Sequence, residues 1–334
     1  MKKTLLALAV LAAGSAQAGV NLYDQEGVVV DVAGAAEVQY FQGYAANSDS
    51  AFRLDDGDLA FTTTVPVSNN LNAVASLAFN FEDKGEAEGA VKNDELWVGF
   101  SSNDFGTITF GRQYLIADDS GIGKDVELGG DGIDFVQAQG DQTVKYVFDN
   151  GQFYAGLSAL LKETNPEGNA DETKIIDGRL GARFGDLDVR GYLYSGEDVS
   201  SDKFDIFTIT VDGKKVAQNI DIDGFQLEGE YIMGAFAFAA SYGQVDYELS
   251  ANTSQKAEAD TAALAGSYTM DKTTFALGYT YWDVDVTGTN VDANTFYANV
   301  TQQMHANVKV YGEIGTTDVD NSEFGYVAGM EVSF

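Results

Sequence analysis

The chain has 334 residues, with 52 acidic against 19 basic side chains and a formal net charge of −33 at pH 7. It contains no Cys and one His, which excludes disulfides, thiol nucleophiles, Cys-based zinc or iron–sulfur centres and a His-rich metal site. So acidic a chain repels phosphate backbones, so no nucleic-acid partner is expected.

The first 18 residues have the pattern of a secretory signal peptide. Lys2 and Lys3 form a positive region, residues 5–13 are apolar, and Ala16-Gln17-Ala18 is a small-residue cleavage site. The apolar region is too short to span a bilayer, and no long apolar run follows it. We therefore expect cleavage before Gly19, with residues 19–334 forming one exported domain.

The rest of the chain alternates between apolar and small or polar side chains with a period of two, which is typical of β-strands with two different faces. In residues 324–334, for example, every second side chain from Phe324 to Phe334 is apolar or aromatic. A further hairpin within residues 203–218 would change the strand count. The alternation predicts sixteen strands, near residues 28–41, 51–65, 71–81, 94–101, 106–112, 142–148, 152–163, 173–184, 187–194, 219–232, 235–248, 260–270, 273–286, 292–304, 307–318 and 324–334.

Connections between these strands alternate between tight turns and longer polar segments. A soluble β-sandwich, which also alternates, has no reason to sort its loops by length to opposite ends, and nothing in the chain repeats at the period of a β-helix. A transmembrane barrel has short turns on one side of the membrane and long loops on the other. A membrane-spanning sheet must close on itself to satisfy its backbone, and sixteen strands leave a water-filled interior. The predicted fold is therefore all-β: a 16-stranded antiparallel transmembrane β-barrel.

Several segments resemble the trimeric general-diffusion porins of the Gram-negative outer membrane. They are Asn21-Leu22-Tyr23-Asp24 with Gly27, Asp58-Leu59-Ala60-Phe61, and Phe110-Gly111-Arg112-Gln113-Tyr114 leading into Val126-Glu127-Leu128-Gly129-Gly130-Asp131. The resemblance implies that the third loop, residues 113–141, folds inward and narrows the pore. It also implies a homotrimer in contact with outer-membrane lipid, and a C-terminal Phe334 that is the signal read by the outer-membrane assembly machinery.

The basic residues depart from the family pattern. Enteric members place several basic side chains on the wall opposite the acidic loop, and only Arg112 matches one of them here. The other corresponding positions are Ala35, Asp58 and Gln139. Simple alternation puts Arg112 on the lipid side with Phe110, so a bulge at Gly111 would be needed to turn it inward.

These residues predict a passive, cation-selective channel for ions and small hydrophilic solutes, with no cofactor. Glu127 and Asp131 would line the constriction, Arg112 would face them, and Asp58 would add negative field. A substrate-specific channel for a sugar or another nutrient is the alternative, and a barrel enzyme is disfavoured by the single His305. Asn219 to Glu230 nearly matches a calcium-binding EF-hand loop, but the alternation after Gly224 indicates a strand rather than the required helices.

Overall fold

The computed structural model describes residues 19–81, 91–129, 133, 135–164, 172–201, 207–211, 214–251, 255–286 and 289–334. The predicted signal peptide and Asp131 lie outside the described residues. Within them the chain forms one short 3₁₀ helix, Ile116–Asp119, and twenty strands. The first ten strands are β1 Val20–Gln25, β2 Val28–Gln42, β3 Ala51–Asp56, β4 Asp58–Ser68, β5 Leu71–Asn80, β6 Lys92–Ser102, β7 Gly106–Tyr114, β8 Gln139–Asp149, β9 Phe153–Thr164 and β10 Glu172–Phe184. The remaining ten are β11 Leu187–Ser200, β12 Thr208–Val211, β13 Lys214–Ala217, β14 Asn219–Met233, β15 Phe236–Leu249, β16 Lys256–Met270, β17 Thr273–Val286, β18 Thr289–His305, β19 Val308–Thr317 and β20 Gly325–Ser333.

Eighteen of these strands form one closed antiparallel sheet. β3 and β4 are two halves of one barrel strand that is interrupted at Gly57, because both pair with β2. β1 and β20 likewise share one position, since β1 pairs with the first half of β2 and β20 with the second half. The barrel therefore has sixteen positions, and the sixteen strand regions predicted from the alternation are confirmed. The sequence prediction missed β1, which occupies the same barrel position as β20 and pairs with the other half of β2.

The hairpin considered at residues 203–218 does not alter the barrel. β12 and β13 pair only with each other, in a separate two-stranded sheet. This hairpin belongs to the long connection between β11 and β14, which pair directly in the barrel.

The connections at one end of the barrel are two or three residues long, as expected. Residues 26–27, 69–70, 185–186, 234–235 and 271–272 are two-residue turns between antiparallel neighbours. Left-handed conformations at Gly185 (φ 64°) and Gly234 (φ 61°) close two of them. The connection at the opposite end between β17 and β18 is equally short, because these two strands extend to residues 286 and 289.

The alternation separates an exposed apolar face from a buried face on most barrel strands. On β16 and β17, for example, Leu264 and Leu277 are exposed while Ala263 and Ala276 are buried. The exposed face carries the large apolar side chains that suit contact with lipid, and the buried face lines the interior. No helix among the described residues is long and apolar enough to cross a bilayer.

Candidate functional site

The connection between β7 and β8, called loop 3 below, enters the barrel instead of leaving it. Its two ends are joined by the Leu115 amide, which donates to the Ala138 carbonyl at 2.6 Å. The Ile116 amide then donates to Ser158 Oγ at 2.8 Å, and the Ala117 amide donates to Asp177 Oδ2 at 2.5 Å. Both acceptors face the interior from β9 and β10, so the first turn of the loop is fixed to the inner wall.

The outgoing arm of loop 3, residues 115–129, continues across the interior by polar contacts with successive strands. The Gly121 amide donates to Glu228 Oε1 on β14 at 2.5 Å. Lys124 Nζ pairs with Glu230 at 3.2 Å. The backbone carbonyl of Lys124 accepts a hydrogen bond from Asn299 on β18 at 2.8 Å. The arm therefore reaches the wall on the far side of the barrel from where it starts.

One carboxylate fixes the tip of the loop. Glu313, on β19, accepts hydrogen bonds from the amides of Val126, Glu127 and Leu128 at 2.7, 2.8 and 2.7 Å. The side chain is 2 % exposed, and a buried carboxylate is stable when several N–H groups solvate it as these do. Three consecutive amides on one carboxylate set the direction in which the Glu127 side chain points.

The Glu127 side chain contacts the wall formed by β2 and β3. Gln39 Nε2 donates to Glu127 Oε1 at 3.1 Å, and Arg53 Nη2 lies 2.5 Å from Glu127 Oε2. Burial alone would raise the pKa of Glu127, but the hydrogen bonds from Gln39 and its other neighbours, with the charge of Arg53, hold that pKa below its usual range. Glu127 is therefore ionised at neutral pH.

Acidic side chains outnumber basic ones around this contact. Arg53 lies 3.2 Å from Asp55 as well as close to Glu127. Carboxylate oxygens of Glu37, Asp56 and Glu331 lie within 4.8 Å of one another. Lys309 Nζ is 2.5 Å from Glu331 and supplies part of the counter-charge that a bound cation would otherwise provide. The tip of loop 3 thus lies beside a negatively charged section of wall.

The structure does not bring Arg112 to Glu127. A bulge does lie between Gly111 and Gln113, where Gly111 has φ 128°, but it adds one residue to β8 rather than to β7. Arg112 consequently remains on the face of its register partner Leu96, which is 56 % exposed. Its guanidinium binds the Asp141 carboxylate and the Asn93 carbonyl. The expectation that the bulge turns Arg112 inward is therefore corrected: the bulge places Asp141 beside it.

Asp58 and Phe334 occupy other positions. Asp58 is exposed at the first position of β4, opposite Asn80. Phe334 is at the barrel closure, where its amide and carbonyl each bond to Gly34 at 2.9 Å.

Arg53 is the functional residue that the sequence interpretation missed. It lies in the alternating segment Ala51 to Asp55, where Arg53 and Asp55 share a parity opposite to that of the exposed Phe52 and Leu54. This parity signal was available. Extending it to Asp58 failed, because a bulge within β3 shifts the alternation before β4 begins: Glu37 pairs with Asp56 and Val38 with Leu54, which leaves Asp55 as an extra residue.

Comparisons with known proteins agree with this architecture. The family described as Gram-negative porin matches residues 4–322. The chain is 68 % identical to Porin-like protein H of Photobacterium profundum, over the full length of both chains. Its fold is similar to that of OmpT of Vibrio cholerae in a trimer form (TM-score 0.78, 22 % identity, 92 % of this chain and 99 % of that one). It is also similar to an anion-selective porin from Comamonas acidovorans (TM-score 0.72, 16 % identity, 92 % and 100 % coverage). The chain therefore belongs to the Gram-negative porin family, as a channel of the outer membrane and not an enzyme.

Proposed function

We propose that the channel is cation-selective and that ions and small hydrophilic solutes cross it by passive diffusion. The observation that carries this proposal is the excess of carboxylates around the tip of loop 3. The acidic side chains there are Glu37, Asp55, Asp56, Glu127 and Glu331, and the basic ones are Arg53 and Lys309. Asp131 lies outside the described residues and would add to the excess, as would Asp58 on the same wall.

The selectivity follows from distance and screening. A solute that passes the loop tip moves within a few Å of these charges, which is less than the Debye length of about 8 Å at physiological salt. The field is therefore incompletely screened, and cations are concentrated while anions are excluded. The similar fold of an anion-selective porin means that the lining charges, rather than the barrel itself, must determine the sign.

Reversal potentials across a planar bilayer in a KCl gradient test this proposal. We expect a cation-selective wild type whose selectivity is larger at low salt than at high salt, because screening is weaker there. Replacing Glu127 with Gln and Asp131 with Asn should shift the reversal potential toward neutrality. An anion-selective wild type, or no shift in this double variant, would contradict the proposal.

We also propose that the channel is a homotrimer. The similar OmpT structure is a trimer form, and small side chains such as Ala36 and Ala73 on the first strands would allow close packing between barrels. Native mass measurement in detergent should give three copies of the chain. A monomer alone would refute this.

The two ends of the chain have proposed roles in export and assembly. Phe334 closes β20 against β2 through Gly34, which supports a role for the terminal aromatic in assembly. Its deletion should leave a protein that is exported but poorly inserted in the outer membrane. Unchanged membrane levels would count against this role, and a mature N-terminus other than Gly19 would contradict the proposed signal cleavage.

A channel specific for one solute is the second candidate, and one cavity favours it. A space of about 440 Å³ beneath the start of loop 3 is lined by Arg179, Arg183, Arg190, Tyr154 and Tyr192. Each arginine is already paired with a carboxylate, on Asp119, Asp149 or Glu228, which leaves less positive charge for an anionic solute. Saturable transport of one solute would support this candidate, whereas liposome swelling that follows size alone supports the general pore.

A further inference from the structure

Several apolar side chains of loop 3 meet the barrel wall at glycines. Ile116, at the start of the loop, is 0 % exposed and packs with Val147 and Tyr192. It lies directly over Gly156 on β9: a Cβ added to Gly156 would overlap Ile116 Cδ1 and lie 3.0 Å from Ile116 Cγ1. All three of the nearest atoms belong to Ile116. Ile116 thus occupies the space that a side chain at position 156 would fill.

A second glycine contact of this kind holds the tip. Leu128, adjacent to Glu127, is 1 % exposed. A Cβ on Gly325 of β20 would lie 2.8 Å from Leu128 Cδ2 and 3.1 Å from Tyr44 Cε1. Tyr44 also donates a hydrogen bond to the Leu128 carbonyl at 2.5 Å. The start and the tip of the outgoing arm therefore both rest on wall positions that have no side chain.

The return arm, which comprises residues 133 and 135–138, has the same relation to the wall. Ile133 Cδ1 lies 2.8 Å from the Cβ position of Gly243, and Phe135 Cε1 lies 2.9 Å from that of Gly224. In these two cases a backbone oxygen is almost as close, at 2.9 and 3.0 Å, so a methyl group there would also disturb the sheet. Gly156 and Gly325 are the sites at which the loop itself is the main obstacle.

We propose that Gly156 and Gly325 are positioning residues that set the width of the pore, because they allow loop 3 to lie against the wall instead of projecting into the lumen. Ordinary contact with a Cβ is 3.4–4 Å, so an added methyl group displaces the loop toward the pore axis by roughly 1 Å. The inference rests on the proposed diffusion pore and concerns its size, not its charge.

Single-channel conductance of Gly156→Ala tests the proposal, with Gly229→Ala as the matched control. A Cβ on Gly229 meets nothing closer than 3.9 Å, so the control makes the same chemical change without touching loop 3. We expect Gly156→Ala to lower the conductance by roughly a fifth to a half and to slow larger solutes in liposome swelling, since flow through a pore follows its radius. Gly229→Ala should match the wild type.

A compensating substitution separates displacement from general damage. Ile116→Val removes Cδ1, the atom that overlaps most, and should restore the conductance of Gly156→Ala while leaving the wild-type conductance undiminished when introduced alone. Unchanged conductance in folded Gly156→Ala, or a double variant that remains low, would overturn the proposal.

If Gly156→Ala does not fold, Gly325→Ala gives the same test at the loop tip. Its control is Gly312→Ala on β19, where the nearest atom to an added Cβ is 3.8 Å away. Equal conductance in these two variants would overturn the proposal. The reversal potential should still indicate cation selectivity in every variant. Failure of the size inference would therefore appear in the conductance, and failure of the proposed selectivity in the reversal potential.

Discussion

The two arms of loop 3 are held to the same barrel by different balances of polar and apolar contacts. The outgoing arm places its backbone amides on inward-facing carboxylates and a hydroxyl group, as Ile116, Ala117 and Gly121 do with Ser158, Asp177 and Glu228. The return arm places apolar side chains into a buried cluster. That cluster contains Ile133, Phe135 and Val136 from the return arm, Leu115 and Ala117 from the start of the outgoing arm, and wall residues that include Leu160, Ile175, Tyr194, Ile220, Ile222, Val245, Tyr247 and Leu249.

The two kinds of contact have different consequences for the position of loop 3 and for the charge beside the pore. The apolar cluster excludes water between the return arm and the wall, because Ile220 and Ile222 on the wall are 0 % exposed. The tip of the outgoing arm carries Glu127, whose ionised carboxylate pairs with Arg53 on a charged section of wall. Under the proposed function, the first arrangement fixes where the loop lies, and the second determines which ions pass it.

The largest effect is expected from Phe135→Ala in the return arm. Phe135 is 4 % exposed and stacks on Tyr194 with ring centroids 4.8 Å apart. Truncating a buried Phe costs about 3–5 kcal/mol of stability, so the return arm should pack less tightly against the wall. We expect higher current noise and a lower thermal unfolding temperature in detergent. The control is Phe296→Ala on the exposed face, where Phe296 is 52 % exposed. Equal noise in the two variants would contradict the account.

A smaller effect is expected from Glu313→Gln at the tip of the outgoing arm. Hydrogen bonds to a charged group contribute about 1.5–3 kcal/mol each, and a neutral amide retains weaker versions of some of them. The tip should become mobile, with flickering single-channel currents but little loss of barrel stability. Glu248→Gln is the control, because Glu248 pairs with the exposed Lys256 away from loop 3. Steady currents in Glu313→Gln would show that the tip does not depend on this carboxylate.

The smallest effect is expected from titration of Asp118, which lies in the first turn of loop 3. Desolvation inside the barrel, and next the negative charge of Asp119, raises the pKa of Asp118 to about 7. Its raised pKa means that the negative charge is present above pH 7 and is lost as the pH falls through 7, so cation selectivity should decline modestly over that window. Asp118→Asn should remove this step from the pH profile; a profile unchanged by the substitution would assign the step to another group.

The alternation of side chains was sufficient to predict the barrel, because each strand separates a lipid face from a lumen face. It could not locate the site in the same way. Arg53 was missed because the bulge at Asp55 changes the parity within β3, before β4 begins. Glu313 gives no signal of its own, since one acidic residue on a lumen face is common and only the fold brings three amides of a distant loop to it.

The glycine contacts are even harder to predict from the sequence. Gly156 resembles any other small residue on an alternating strand, and its role depends on Ile116, which is forty positions away and reaches it only after loop 3 turns inward. Arg112 shows the reverse case. Its parity correctly placed it with Phe110 and Leu96, and the resemblance to the family pattern led away from that placement.

The central claim, that the carboxylates beside the loop tip determine the selectivity, is tested most directly by reversal potentials of Glu127→Gln and Arg53→Gln in the same KCl gradient. The two side chains form one ion pair, 2.5 Å apart, so both variants break the same contact but change the local charge in opposite directions. We expect Glu127→Gln to become less cation-selective than the wild type and Arg53→Gln to become more so. Shifts in the same direction, or no shift in either variant, would contradict the claim.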